Sequence, residues 1–133
     1  MDADTGIAYK LLRVKKGRLF PLFVNTRIET PVAVWLYAGA GVKVETGRTP
    51  KVQSSIGLLS WRPGWHLAKT PEANHMVMTP NRVWCEVEYD KVGAYEYKTS
   101  PRQTEPWIIC KRMKIIRTLN AEQVEHLLLW RNA

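Results

Sequence analysis

Short β-type runs separated by turn residues occupy nearly the whole chain, and this pattern limits the folds that the chain can adopt. In the clearest run, residues 82–89, side chains alternate between two faces: Cys85 and Val87 fall on one, Glu86 and Glu88 on the other. Such alternation predicts half-buried strands. Together with this run, the chain contains about eight β-type runs, at residues 8–14, 19–24, 32–38, 56–61, 82–89, 95–98, 106–110 and 113–119.

Three segments of the chain allow more specific structural predictions. Residues 15–18 predict a hairpin turn, and Pro21 places the following strand at an edge or a bulge, because proline cannot donate to a ladder. Residues 32–38 are almost wholly apolar, which predicts a strand buried on both faces. Residues 39–55 are rich in Gly, Thr, Lys and Ser and predict a mobile loop with a short hairpin at 42–44.

A convincing helix signal comes only at the end of the chain. Asn120 can cap a helix, and Gln123 lies three residues on, which is the capping-box spacing. Val124, Leu127 and Leu128 then form an apolar stripe at helical spacing. A second, short helix is predicted to begin near residues 70–74. Together, the predicted strands and helices indicate an α+β or mainly β fold.

Length and composition favour one soluble domain spanning residues 1–133. No apolar run approaches the roughly 18 residues that cross a bilayer, so we expect no membrane association. The acidic start, residues 1–4, does not resemble a signal peptide, and two cysteines are too few for a disulfide scaffold. These features predict a cytoplasmic protein, and they do not indicate its oligomeric state.

The chain carries a formal charge of +8, with 20 basic and 12 acidic residues. The basic residues are scattered, and their tightest groups lie at residues 10–18 and 111–117. One interpretation is a solvated surface. The other is a patch that attracts nucleic acid, an anionic cofactor or an acidic protein, since Lys and Arg contacts to phosphates release counterions.

Several classes of chemistry lack their motifs. The three histidines and two cysteines form no zinc-binding pattern, so we expect no metal. No nucleophile elbow, Walker-type loop or dinucleotide-binding glycine pattern is present. Cys85 alternates with valines and Cys110 ends an apolar run, so neither predicts a reactive thiol.

Residues 60–66 form the most distinctive segment, with two Trp, one Arg and one His around a Pro-Gly turn. Trp61 and Trp65 can stack on a heteroaromatic ring, Arg62 can grip a phosphate, and His66 can exchange a proton near neutral pH. The alternative is that both Trp are core residues and that His66 is a hydrogen-bonded strand residue.

Carboxylates supply the remaining candidates. Glu86 and Glu88 share a strand face, and Glu105 begins the run that carries Trp107. One such carboxylate opposite a His and an Arg could stabilise a developing cation or orient a hydroxyl group. The alternatives are a solvent-facing strand surface for Glu86 and Glu88 and a loop charge for Glu105.

The order of these motifs resembles that of the poly- and mono-ADP-ribosyltransferases. Residues 64–68, Gly-Trp-His-Leu-Ala, are similar to that family's G-x-Y-F-A segment, although His66 stands where the family usually has Tyr or Ser. Arg13 lies in the place of a core-strand residue, commonly His, that holds the ribose or phosphate of NAD. Glu105, or Glu88 in an E-x-E pattern, is similar to the catalytic Glu.

This resemblance implies two small packed antiparallel sheets with NAD in the cleft between them. Arg13, with Arg62 nearby, would hold the phosphate or ribose, and Trp61 or Trp65 would stack on nicotinamide with help from His66. The catalytic Glu would stabilise the oxocarbenium-like transition state as nicotinamide leaves. The acceptor would be a macromolecule, either a host protein or a nucleic acid.

A second resemblance implies an origin. The pattern G-x-L-x-x-R-P-G-W-H at residues 57–66 is similar to a segment of uncharacterised phage and mobile-element proteins, and it implies no activity. The rival hypothesis is a non-enzymatic basic binding module, or a phage-encoded inhibitor, whose basic strands and exposed Trp residues bind nucleic acid or a host nucleoprotein complex through phosphate contacts and stacking.

Overall fold

The computed structural model describes residues 4–39, 43–44, 51–54, 57–60, 64–72, 78–98, 101–103 and 105–131. These residues form one helix and eleven strands, all of whose strand-to-strand pairings are antiparallel. The strands are β1 (Thr5–Lys15), β2 (Arg18–Phe20), β3 (Trp35–Tyr37), β4 (Lys43–Val44), β5 (Lys51–Ser54), β6 (Gly57–Ser60), β7 (Trp65–Leu67), β8 (Arg82–Asp90), β9 (Tyr95–Tyr97), β10 (Trp107–Cys110) and β11 (Arg112–Leu119), and the helix is α1 (Ala121–Arg131). The predicted class, α+β with mostly antiparallel strands, is confirmed.

The largest sheet has five strands in the order β2-β1-β8-β11-β3. Its first two strands form the predicted hairpin, in which Lys16 and Gly17 have φ values of 51° and 75°. Two successive positive φ values suit the right-handed twist of a tight hairpin. Strand β2 ends at Phe20, short of the predicted residue 24, because Pro21 has no N–H to continue the ladder.

The prediction for residues 32–38 is wrong in its burial. Strand β3 covers only Trp35–Tyr37 and is one of the two edge strands of the five-stranded sheet. Val34 is 49% exposed and Tyr37 is 74% exposed. An apolar run does not distinguish a central strand from an edge strand, since that difference depends on which strands pair with it.

A second sheet, in the order β7-β10-β9, encloses the main core against one face of the five-stranded sheet, which we call the inner face. The two sheets are joined where Tyr9 and Ala68 exchange both backbone hydrogen bonds. The core between them is apolar and consists of Ala8, Leu12, Leu19, Leu67, Cys85, Val87, Ile108, Cys110, Met113 and Ile115.

Gly64 allows the second sheet to pack tightly. Its φ is +142°, and a Cβ atom there would lie 2.5 Å from Cγ2 of Ile109 and 3.1 Å from the carbonyl oxygen of Cys110. Both the conformation and the close approach require glycine. The glycine of the Pro-Gly-Trp-His segment is thus explained by contact with β10.

Helix α1 begins as the sequence predicts. Asn120 Oδ1 accepts a hydrogen bond from the N–H of Gln123, and Gln123 Oε1 accepts one from the N–H of Asn120, both at 2.8 Å. This reciprocal pair is a capping box. Val124 and Leu127 pack against the opposite, outer face of the five-stranded sheet, in a cluster built on Leu11, Ala68, Trp84, Trp107, Ile109 and Leu119.

The other predictions concern residues 39–80. Strands β4, β5 and β6 form a small third sheet, in which residues 43–44, where the sequence predicts a short hairpin, are a single strand paired with β5. The prediction of a loop at 39–55 is wrong for residues 51–54, which form β5 because they pair with β6, and residues 40–42, 45–50 and 55 lie outside the described residues. Residues 70–72 are not helical, and residues 73–77 of the expected second helix are not described. Among the described residues, no helix is long and apolar enough to cross a membrane.

Candidate functional site

Four cations gather at one end of the outer face of the five-stranded sheet. Strand register places Arg13 directly opposite Arg82 of β8 and Lys15 directly opposite Arg18 of β2. Side chains two residues apart on a strand share a face, so all four project from the same side. We call Arg13, Lys15, Arg18 and Arg82 the cationic cluster.

The cationic cluster contains two like-charge cross-strand pairs. Cβ atoms of directly opposed residues lie about 4.5–5.5 Å apart, and like charges at that distance destabilise a sheet. Residues 13–30 hold five basic side chains and one carboxylate, that of Glu29. Its Oε1 lies 3.9 Å from Nε of Arg18. The hairpin is therefore locally electropositive.

Neighbouring groups position Arg13 within the cluster. Its Nη2 donates to the carbonyl oxygen of Thr26 at 2.7 Å, and its guanidinium lies 5.0 Å from the ring centre of Phe20, the cross-strand neighbour on β2. These contacts hold the cation beside a half-buried aromatic ring at the sheet surface. The arrangement offers both charge and an aromatic edge to a ligand on that side.

Charge at the other end of the outer face is balanced. Each acidic residue of β8 there pairs with a basic residue of β11. The pairs are Glu86–Arg117 at 3.4 Å, Glu88–Lys114 at 3.1 Å and Asp90–Arg112 at 2.9 Å. Hydrogen bonds from Thr5 and then Lys114 lower the pKa of Glu88. Glu88 is thus an ionised member of an ion-pair ladder, on the same face as Glu86, as the sequence predicts.

Lys10 lies on the inner face, away from the other cations of its group. It is paired in register with Cys85, and its Nζ donates to the carbonyl oxygen of His66 at 2.9 Å. The ammonium group also lies 5.6 Å from the ring centre of Trp65. Burial lowers the pKa of Lys10 to about 8, because a low-dielectric interior disfavours its charged form.

Both thiols are buried in the same core. Burial raises the pKa of Cys85 and of Cys110 to about 12, against a lowering influence from Lys10. A thiol held in its neutral form is a poor nucleophile. The geometry agrees with the sequence prediction that neither cysteine is reactive.

The candidate NAD-binding residues lie in different parts of the fold. Trp65 faces the main core and donates from Nε1 to the carbonyl oxygen of Leu36 at 2.9 Å. His66 is adjacent on the same strand, so its side chain leaves the opposite face. Trp61 and Arg62 lie outside the described residues.

The candidate acidic residues are not beside Arg13. Glu88 is six positions along β8 from Arg82, the register partner of Arg13, which corresponds to about 20 Å at 3.3 Å per residue. Glu105 is exposed, two residues before β10 begins. Among the described candidates, only Arg13 joins a cluster of charges that could hold an anion.

Two residues of interest were missed by sequence reasoning. Lys10 belongs to the basic group at residues 10–18 of the sequence, but it alternates in phase with Ala8 and Leu12, a signal that places it on the inner face. Arg82 carries no local signal, because its proximity to Arg13 depends on strand pairing across 69 positions.

Among the described residues, no group of three or more His, Cys, Asp or Glu side chains is arranged to hold a metal ion. Comparisons with protein-family models, with curated proteins and with solved structures found no match to this chain. The resemblance to ADP-ribosyltransferases therefore stays a prediction from the sequence.

Proposed function

We propose that this protein is a basic binding module that holds nucleic acid through its phosphate backbone. The observation that carries the proposal is the cationic cluster, in which Arg13 opposes Arg82 and Lys15 opposes Arg18 on one sheet face. A phosphate placed between two such cations makes attractive contacts with both. The sheet fixes the backbone positions from which these cations project.

The distribution of the remaining charge supports this location. On the balanced end of the outer face, three cations are matched by three carboxylates, whereas residues 13–30 carry five cations and one carboxylate. Lys16 extends the positive surface to the turn, where it is exposed. Residues 13–30 therefore carry +4 of the chain's net charge of +8, and this positive surface would attract a polyanion.

Phosphate contacts position a nucleic acid without reading its sequence. The described cluster offers one aromatic ring, Phe20, and the Arg13 guanidinium lies over its face. We therefore expect contacts to phosphates rather than stacking on bases, and little dependence on base sequence.

Salt dependence tests the proposal. Affinity for a labelled single-stranded oligonucleotide would be measured by fluorescence anisotropy from about 50 mM to about 200 mM salt. The slope of log K against log salt is negative, and each lost phosphate contact reduces its magnitude by about 0.7. The double variant Lys15→Gln/Arg18→Gln should then reduce the slope by about 1.4.

The double variant Lys98→Gln/Lys111→Gln is the matched control, because it also removes two exposed positive charges but lies away from the hairpin. It should change the slope by less than half as much as the cluster variant. Equal effects of the two double variants would show non-specific attraction and overturn the proposed site. Absence of binding at the lowest salt would overturn the function.

A second candidate function, an NAD-dependent ADP-ribosyltransferase, is favoured by the same arginine pair, since Arg13 and Arg82 could hold a pyrophosphate. NAD at millimolar concentration should then raise the melting temperature, and the protein should release nicotinamide. Variants Glu105→Ala, Glu88→Ala and His66→Ala, each checked for folding, would identify the catalytic group. Release that none of them alters would contradict these site residues, and no release would reject the transferase.

A further inference from the structure

A cleft of about 360 Å³ opens beside the N-terminal half of β1, away from the cationic cluster. Strand β1 meets the second sheet at the Tyr9–Ala68 bridge, and within the described residues its positions 5–8 have no strand partner on that side. The sheets separate there. The cleft is lined by Ile7, Lys69, Tyr89, Lys91, Ala94, Tyr95, Glu96 and Ile108.

The walls of this cleft combine apolar and aromatic surface. Ile7 and Tyr95 line the cleft and are 37% and 49% exposed, and Ile108, which also lines it, is buried. Tyr89 is half-buried, and burial raises its pKa, so its hydroxyl group remains a hydrogen-bond donor at neutral pH. Polar and apolar surface contribute about equally to the lining, so the cleft suits a ligand that carries both kinds of surface.

Gly6 makes room for two of the lining side chains. A Cβ atom there would lie 2.9 Å from a ring carbon of Tyr89 and 3.0 Å from Cε of Lys91. The backbone of Lys91 is also fixed, because its N–H donates to the carbonyl oxygen of Asp4 at 2.8 Å. The ring of Tyr89 and the stem of Lys91 thus lie directly over the β1 backbone.

The charge balance of the cleft favours an anion. Lys69 forms an ion pair with Glu96, whereas Lys91 makes no ion pair with a carboxylate in the described part of the chain. Two ammonium groups against one carboxylate leave a net charge of +1. An ammonium group over an apolar, aromatic wall suits a ligand with one negative group on a flat body.

We propose that this cleft binds a small aromatic anion, a single ring system bearing one phosphate or carboxylate, with the ring against Tyr89 and Tyr95 and the anionic group on Lys91. The volume lies at the small end of the range for ligand sites, roughly 300–1,000 Å³. It suits one ring system with its anionic group. The site is separate from the proposed nucleic-acid surface.

Four probes separate the parts of this recognition: phenyl phosphate, benzoate, benzyl alcohol and inorganic phosphate. Binding would be followed by amide chemical shifts of the full-length protein. One or both aromatic anions should shift the amides of Gly6, Lys91 and Ala94 in a saturable way. Benzyl alcohol and inorganic phosphate should bind about tenfold more weakly, since each lacks one part of the contact.

Lys91→Gln should weaken binding of the aromatic anion about tenfold. Lys98→Gln, an exposed charge change outside the cleft, should leave it unchanged. Gly6→Ala should also weaken binding, because the new methyl group displaces Tyr89 and Lys91. Should that variant fail to fold, Tyr95→Ala gives the same information from the exposed wall.

Three results would overturn the proposal: shifts that do not saturate, equal binding of aromatic anions and inorganic phosphate, or unchanged affinity in Lys91→Gln. Saturation by phenyl phosphate but not benzoate would identify a phosphate ester as the ligand class, and the reverse would identify a carboxylate. The Lys15→Gln/Arg18→Gln variant should bind these probes normally, which separates this site from the cationic cluster.

Discussion

At the residue scale, successive side chains of a strand lie on opposite faces of the sheet, and this determines whether a cation lies at the surface or against the core. Lys10 and Arg13 belong to the same basic group of the sequence but lie on opposite faces of β1. Arg13 therefore contributes to the cationic cluster, whereas Lys10 donates to the carbonyl oxygen of His66 inside the fold. The count of basic residues overstates the charge that an external ligand meets.

Stability should depend on the charge of Lys10. The native pKa is about 8 and the ordinary value is 10.5, so the unfolded state holds more protons between these values. The free energy of unfolding should therefore rise with pH across that window, by up to about 1.4 kcal/mol per pH unit. Below about pH 8, Lys10 is charged in both states, and the free-energy cost of burying that charge lowers the stability by its full amount.

Lys10→Met removes this dependence, so the stability of the variant relative to wild type should fall between about pH 8 and about pH 10. Urea denaturation at several pH values measures it. Lys98→Met, at an exposed position, is the control and should follow wild type. A Lys10→Met curve parallel to that of wild type would show that Lys10 titrates normally in the folded protein.

At the element scale, local signals succeeded where the structure depends on neighbours in sequence. The hairpin turn at Lys16 and Gly17 and the capping box at Asn120 both form as predicted. The predicted burial of the run that contains β3 was wrong, because an apolar run gives no information about which strands lie beside it. The sequence thus predicts where elements start and turn better than where they lie in a sheet.

The capping box should make a measurable contribution to stability. Asn120→Ala removes the acceptor for the N–H of Gln123 and should cost about 1 kcal/mol of unfolding free energy. Denaturant unfolding gives the total, and hydrogen exchange at Gln123 gives the local effect. Glu125→Ala, at an exposed position within α1, is the control; a loss as large as that in Asn120→Ala would contradict a specific cap.

At the scale of the whole molecule, two apolar clusters hold the fold together from the two sides of the five-stranded sheet. The inner cluster joins β1, β8 and β11 to the second sheet, and the outer cluster joins them to α1. Cys85 and Cys110 belong to the inner cluster but come from different sheets. Their exposure therefore reports on separation of the two sheets.

Both thiols should resist modification in the folded protein. Each is buried, and burial raises each pKa to about 12, so little thiolate forms near neutral pH. A thiol-specific reagent should label neither cysteine without denaturant and both in urea, with labelling that follows the global unfolding curve. Reaction of one cysteine in the native protein would show that the sheets separate locally.

The sequence by itself determined the β-rich class, the turn at residues 15–18, the helix start at Asn120 and the shared face of Glu86 and Glu88. Each of these depends on residues close together in the chain. Tertiary structure alone decided that Arg82 meets Arg13, that β3 lies at an edge, and that a cleft opens beside Gly6. Those features arise from strand register and sheet order, which bring distant residues together and leave no periodic trace in the sequence.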